Sequence, residues 1–314
     1  MPHFVRYLLP SLLLFGAAPL YAQLQERMVI GSGVVCRSEP ERTAPVRYIY
    51  RIGDIIGASE QTVRNGETWY MDRWRVSGQY PSCWIYGPLT VEFRRSEPVA
   101  ALAAAADHAL RRTDASFEDL VSVDNLFTQG LSGEDFLSTS GLLQYRRLEV
   151  LRRIAKDFGD NARDISRDPL KLSWFLAHRD VIRYYEPDNG YFVPVAAYWA
   201  LHDKFPNEPW SEELAWTAAQ IHIPSDECYS DCVFRKIEQT YARYWQSHPT
   251  GGSVKEAIDR AVPMARYAVE MSLYDESPLA LLTRLRRSLD KVSASNKTWF
   301  LSILDDAEKK YAPR

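Results

Sequence analysis

The sequence predicts two folding styles in one chain, a small β-barrel followed by an all-α domain of helical hairpins. Three observations predict it. Short β-branched and aromatic runs fill residues 28–93, punctuated by turn formers. From Glu97 onward apolar residues recur at three- and four-residue steps instead. The chain has 314 residues, enough for two domains at roughly 150 residues each. With 46% hydrophobic and 25% charged residues it has the composition of a chain that buries a core. It carries 38 Lys and Arg against 41 Asp and Glu, a formal charge of −3. Nucleic-acid binding, which calls for a basic excess, is therefore disfavoured.

Residues 1–22 hold one Arg, no acid and an apolar run from Tyr7 to Ala18 broken by Pro10. The run is short for a membrane span, and Leu20-Tyr21-Ala22 before Gln23 suits a cleavage site. The expectation is a signal peptide cleaved after Ala22, with the mature chain periplasmic or secreted and without a transmembrane segment. Export changes how the cysteines read, because an even count in an oxidising compartment suggests disulfides. Of three possible connectivities, local pairing gives Cys36–Cys83 and Cys228–Cys232. The second pair alternatively joins His222 and Glu227 in a metal site. Only one close Cys pair is present, however, where zinc sites normally show two, so no metal and no cofactor is expected.

The barrel is expected over residues 23–94. Val34-Val35, Val46 to Tyr50, Ile55-Ile56, Trp69 to Val76 and Trp84 to Tyr86 read as strands, with Asn65-Gly66 as the strongest hairpin signal. These residues resemble the bacterial SH3 (SH3b) domain. Val35-Cys36-Arg37-Ser38-Glu39-Pro40 is similar to its opening signature, Gly53-Asp54 to the turn before its central strand, Trp69-Tyr70 to the start of the next strand, and Cys83-Trp84-Ile85 to its closing Gly-Trp-Val. Cys36, Glu39 and Cys83 depart from the pattern, and a bridge would explain the two Cys departures together. The resemblance covers a fifth of the chain. It implies a non-catalytic module that binds cell-wall peptide or an envelope protein. Trp69, Tyr70, Trp74, Trp84 and Tyr86 are the candidate ligand-binding residues, since strand alternation turns some of them outward.

The all-α domain is expected over 97–314. An Ala-rich helix follows Pro98, and a clear amphipathic helix runs from Leu142 to Phe158. Asp168-Pro169 is a cap followed by Pro at the first helical position, opening a helix to about Tyr185. Further helices fit 191–205, 210–221, 230–247, 253–271, 278–292 and 296–311, and the short loops between them imply antiparallel neighbours. Tyr198-Trp199 and Tyr244-Trp245 each precede a Pro-containing turn, a weak echo that looks like a degenerate TPR-like hairpin array.

Chemistry is sparse. Asp157-Phe158-Gly159 and His178-Arg179-Asp180 match kinase tripeptides, but in the wrong order and without a phosphate loop. Asp231-Cys232 is similar to the nucleophile motif of NlpC/P60 wall peptidases, which often accompany SH3b modules. The small pair that follows the Cys there is absent, and the one later His, His248, is sixteen residues on, at the end of the same helix and several turns from Cys232. Adjacent acids such as Glu134-Asp135 and Asp305-Asp306 point apart on a helix. The aromatics concentrated between Tyr184 and Trp245 read first as inter-helix packing and second as a groove. The reading is a non-enzymatic binding or scaffolding protein of the cell envelope. The alternative is a peptidoglycan hydrolase with a Cys nucleophile in the helical domain.

Overall fold

Asn65 and Gly66 both take positive φ, 54° and 78°, the backbone that a two-residue turn needs to follow the right-handed strand twist. They join strands Ile55–Arg64 (β4) and Glu67–Asp72 (β5), in register from Arg64↔Glu67 to Gln61↔Tyr70. The structure, a computed structural model, describes residues 24–73, 82–129, 136–158, 165–185, 190–221, 230–271 and 279–311. Residues 1–22, Trp74, His222, Glu227 and Cys228 lie outside the described residues, as does the side chain of Cys232, so the leader, the second cysteine pair and its metal alternative fall there too.

Around that hairpin stand Gln25–Val29 (β1), Val34–Arg37 (β2), Val46–Tyr50 (β3), Cys83–Tyr86 (β6) and Thr90–Glu92 (β7). The seven-stranded antiparallel sheet has the order β3-β2-β6-β5-β4-β1-β7. The first and last strands pair directly, Met28 opposite Val91, so the two ends of the strand region meet. A 3₁₀ turn over Gly87–Leu89 delivers the chain into β7. Cys36 and Cys83, on neighbouring strands, bring their Sγ atoms to a bonding distance of 2.02 Å. They sit in a small core with Val29, Val34, Tyr50, Ile56 and Ile85.

The helical region begins with Val99–Arg111 (α1) and Phe117–Gln129 (α2). Met28, Ile30 and Phe93 of the strand region share one core with Ala101, Leu102 and Leu120 of these helices. At Gly53, where φ is +87°, a Cβ would lie 2.8 Å from Leu126 of α2, so a glycine lets the sheet approach the helix there. The helix α2 is not among the helices expected from the sequence, although Ser116 and Asp119 form a reciprocal cap at its start. Each side chain accepts the other's backbone N–H at 3.2 Å. Phe136–Thr139 (α3) and Gly141–Asp157 (α4) follow, the latter capped by Ser140.

The all-α expectation needs correction between Pro169 and Lys204. Asp168 caps Pro169–Ala177 (α5) as expected, accepting from Leu170 and Lys171 N–H, but the helix stops at Ala177 rather than Tyr185. Arg183–Tyr185 (β8) and Gly190–Phe192 (β9) form an antiparallel hairpin with Tyr184 opposite Tyr191. Those rings lie 5.0 Å apart, and Tyr191 also packs on Phe158 at 5.2 Å. A cross-strand aromatic pair of this kind stabilises a hairpin and competes with continued helix. The next helix begins at Val195 instead of residue 191, because Pro194 occupies its N-cap.

Val195–Lys204 (α6), Ser211–Gln220 (α7), Ser230–Ile237 (α8), a π turn over Glu238–Ala242, Arg243–Ser247 (α9), Val254–Met271 (α10), Leu279–Ser288 (α11) and Ala294–Tyr311 (α12) complete the region. Their packing accounts for most of the aromatic cluster. Tyr198, Trp199, Tyr244 and Trp245 are all buried. Trp199 Nε1 donates to the Gln239 carbonyl in the π turn (2.9 Å), and Trp245 Nε1 to Ser288 Oγ (2.7 Å). A π turn leaves carbonyls outside the i→i−4 ladder, so this donor finds an acceptor there. No helix among the described residues is long and apolar enough to cross a membrane.

Candidate functional site

The strand register assembles a row of side chains on the outer face of the sheet. Ile49 stands opposite Val35, Trp69 opposite Tyr86, and Thr62 opposite Trp69. Arg37 pairs with Trp84, and continuing that register puts Val35 beside Tyr86. The row therefore reads Ile49, Val35, Tyr86, Trp69, Thr62 across five strands, with Arg37, Trp84 and Met71 in the row below. Ile49, on the edge strand β3, is 57% exposed, whereas Trp69 is only 2% exposed.

The segment between β2 and β3 lies over part of this row. Arg37 donates to the Ala44 carbonyl at 2.6 Å, holding the loop close to the sheet. Arg42 then lies over the Tyr86 ring, 4.9 Å from its centroid, and reaches Glu67 with Nε 2.9 Å from Oε1. Arg42 is 67% exposed, and exposed ion pairs hold side chains weakly. Beside Tyr86, its ring 5.5 Å away, the Trp69 indole N–H is buried and, among the described residues, has no hydrogen-bond partner. A buried donor left unpaired is costly.

Of the candidate ligand residues, the register brings Trp69, Trp84 and Tyr86 together on one face. Tyr70 projects to the opposite face, where the Arg27 guanidinium covers its ring at 3.9 Å. Arg27 is itself tied down, its Nε donating to Thr90 Oγ1 at 2.8 Å, and burial lowers its pKa. Tyr70 is thus part of the packing between β1, β5 and β7.

The helical region contains two histidine arrangements that sequence reasoning did not find. Asp124 of α2, 1% exposed, lies 2.7 Å from Arg147 Nε of α4 and 3.2 Å from His178 Nε2. The second contact is off the direction of a hydrogen bond, leaving Asp124 Oδ2 held by charge. The other imidazole nitrogen, Nδ1, is 2.8 Å from the Trp174 carbonyl, and the ring stacks on Trp174 at 3.9 Å. Asp124, with help from that carbonyl, raises the His178 pKa against the effect of burial. Burial works to raise Asp124, but His178 and Arg147 outweigh it and hold it below its ordinary value. The spacing 124, 147, 178 has no local signature, so no sequence pattern announces this cluster. His178 is recognisable in sequence only as part of the coincidental His-Arg-Asp tripeptide.

The second arrangement joins the two Tyr-Trp echoes. His202 and His248 each lie three residues after the Trp, and their Nε2 atoms are 2.9 Å apart. Burial lowers both pKa values, and His248 adds to the effect on His202. Among the described residues no three His, Cys, Asp or Glu side chains gather as metal ligands. Asp305 pairs with Arg286 and Asp306 with Lys309, exposed on α12. No family model, no curated protein and no solved structure matches this chain.

Proposed function

We propose that the protein binds an extended peptide at the cell envelope, a stem peptide of the wall, through an SH3b-like module formed by its strand region. The observation that carries this reading is the outer-face row. It runs from an exposed edge residue, Ile49, to a buried indole N–H at Trp69 that has no partner among the described residues. Edge strands offer unpaired backbone groups to an incoming segment, and buried aromatics are the usual anchors of binding sites. The pairing of first and last strands and the 3₁₀ turn before β7 support the small-barrel reading. The helical region then serves as a second surface or platform.

Catalysis is not part of this proposal. A general base needs an imidazole nitrogen available to substrate. His248 Nε2 faces His202, and both nitrogens of His178 face acceptors. The test is co-sedimentation of the purified protein with peptidoglycan sacculi, beside Ile49→Glu and Trp84→Ala variants, with soluble products examined after incubation. Retention of the wild type, weakened in both variants and without released fragments, is the expected result. No retention of the wild type, or released muropeptides, would overturn the proposal.

A further inference from the structure

Helices α4 and α6 run antiparallel. A Cβ on Gly141 would meet Phe205, and Tyr198 OH donates to the Leu148 carbonyl at 3.1 Å. Between them, closed by α3 and the segment after His178, lies a cleft of about 340 Å³. The antiparallel course gives the cleft two unlike ends. Gln144 and Lys204 fall toward one end and Leu151 and Ala197 toward the other, with Arg147 and Leu148 between them.

The charge on Arg147 and Lys204 is only partly neutralised among the described residues. Asp124 engages Arg147 through Nε alone, and its carboxylate is shared with His178. Among the described residues the Arg147 Nη atoms have no acceptor. Lys204 has no carboxylate within ion-pair distance there, and its ammonium rests 5.1 Å over the Phe205 ring. Gln144 is occupied differently, its Nε2 donating to the Leu137 carbonyl at 2.8 Å, which fixes α3 as a wall.

We infer that this cleft is a binding site for a small amphiphile, an acyl chain ending in a carboxylate. Its volume is at the small end of ligand sites, about 300–1,000 Å³, which suits one small molecule and not a helix or a protein segment. The head would lie between Arg147 and Lys204, where charge-assisted hydrogen bonds to carboxylate oxygens are strong. The tail would lie against aliphatic side chains that offer no hydrogen-bonding groups. A peptide in the same place would bury amide groups without partners, at a cost, so an acyl chain is favoured. This inference is independent of the outer-face proposal, since no residue is shared between the two sites.

The experiment is isothermal titration of the purified protein with decanoate. Decanol, decyltrimethylammonium and a short peptide ending in Leu-Leu serve as comparison ligands. Two variants accompany it, Lys204→Glu at the polar end and Ala200→Trp, which places a large ring in the cleft from an exposed lining position. Both are first shown to melt within a few degrees of wild type, and a variant that does not is replaced by Lys204→Gln or Ala200→Phe. The inference expects saturable one-to-one binding of decanoate, weakened about tenfold or more by Lys204→Glu and abolished by Ala200→Trp, with decanol weaker and the cation not bound. Absence of decanoate binding to wild type overturns it. So does binding that ignores both variants, or binding of the peptide in preference to decanoate. Loss of sacculus retention in the outer-face variants would leave these results untouched.

Discussion

Trp69 in the sheet and Trp199 and Trp245 in the helices are all buried, but their indole N–H groups meet different fates. Trp199 and Trp245 donate to Gln239 and Ser288 across helix interfaces. Trp69 has no acceptor among the described residues. Trp174, whose N–H also lacks a partner among the described residues, lies on α5 against Phe117, Phe158 and His178. The helical pair is built as structure, because each polar handle is consumed in locking one helix to another. The sheet residue's donor is left over among the described residues, beside a Tyr86 ring that Arg42 covers. The two regions also differ in what holds them. The sheet is closed by a covalent link over a sequence separation of 47, whereas the helices depend on buried polar contacts such as Asp124 with Arg147 and His178.

The comparison can be broken most severely at the bridge. Replacing Cys36 and Cys83 by Ser is expected to cost about 4 kcal/mol by loop entropy, read from denaturant unfolding. Hydrogen exchange should place the loosening in β2 and β6, with α6 to α9 retaining protection. A uniform loss across both regions would mean that the bridge is not specific to the sheet.

Next comes the buried charge cluster. Asp124→Ala leaves Arg147 and His178 facing each other without their carboxylate and is expected to cost about 3 kcal/mol, again by denaturant unfolding. A change under about 0.5 kcal/mol would place Asp124 among ordinary surface charges.

The tryptophans supply a finer contrast. Trp199→Phe orphans the Gln239 carbonyl and should cost about 1–2 kcal/mol. Trp69→Phe removes an unpaired donor and should cost less than Trp199→Phe. Equal losses at both sites would erase the distinction drawn between the two regions.

The smallest effects are in pH dependence, where the two histidine arrangements carry opposite signs. The His178 pKa is raised above its ordinary 6.5, so its contribution is full below about 6.5 and is lost as pH rises through the raised value. The His202 and His248 values are lowered, so stability there is full above about 6.5 and declines as pH falls toward the lowered values. His178→Asn should therefore lower the melting temperature more at pH 5.5 than at 7.5. His248→Asn should do the reverse. Melting curves of both variants at the two pH values check the signs.

Sequence carried much of the sheet and little of the chemistry. Asn65-Gly66 and the strand runs were legible because turn backbone and strand alternation are local, and the Cys36–Cys83 pairing because both cysteines fall in one strand-rich stretch, although 47 residues apart. So were the Asp168-Pro169 start and the amphipathic α4. The helix α2 carries only a short local signal, the Ser116-x-x-Asp119 cap. The β8–β9 hairpin was read as helix because its Tyr-rich strands depend on a cross-strand partner and on Phe158. The Asp124 cluster and the α4–α6 cleft bring together residues tens of positions apart, which spacing does not encode. Alternation could turn Trp69, Trp84 and Tyr86 to one face and Tyr70 to the other, but it could not foresee the Arg42 strap over Tyr86.

The claim that Trp69 holds its donor for a ligand is tested most directly by sacculus co-sedimentation of Trp69→Phe beside wild type. The account predicts a variant that melts close to wild type yet binds about tenfold more weakly, one lost hydrogen bond to a buried donor. Equal retention of the two proteins would contradict it.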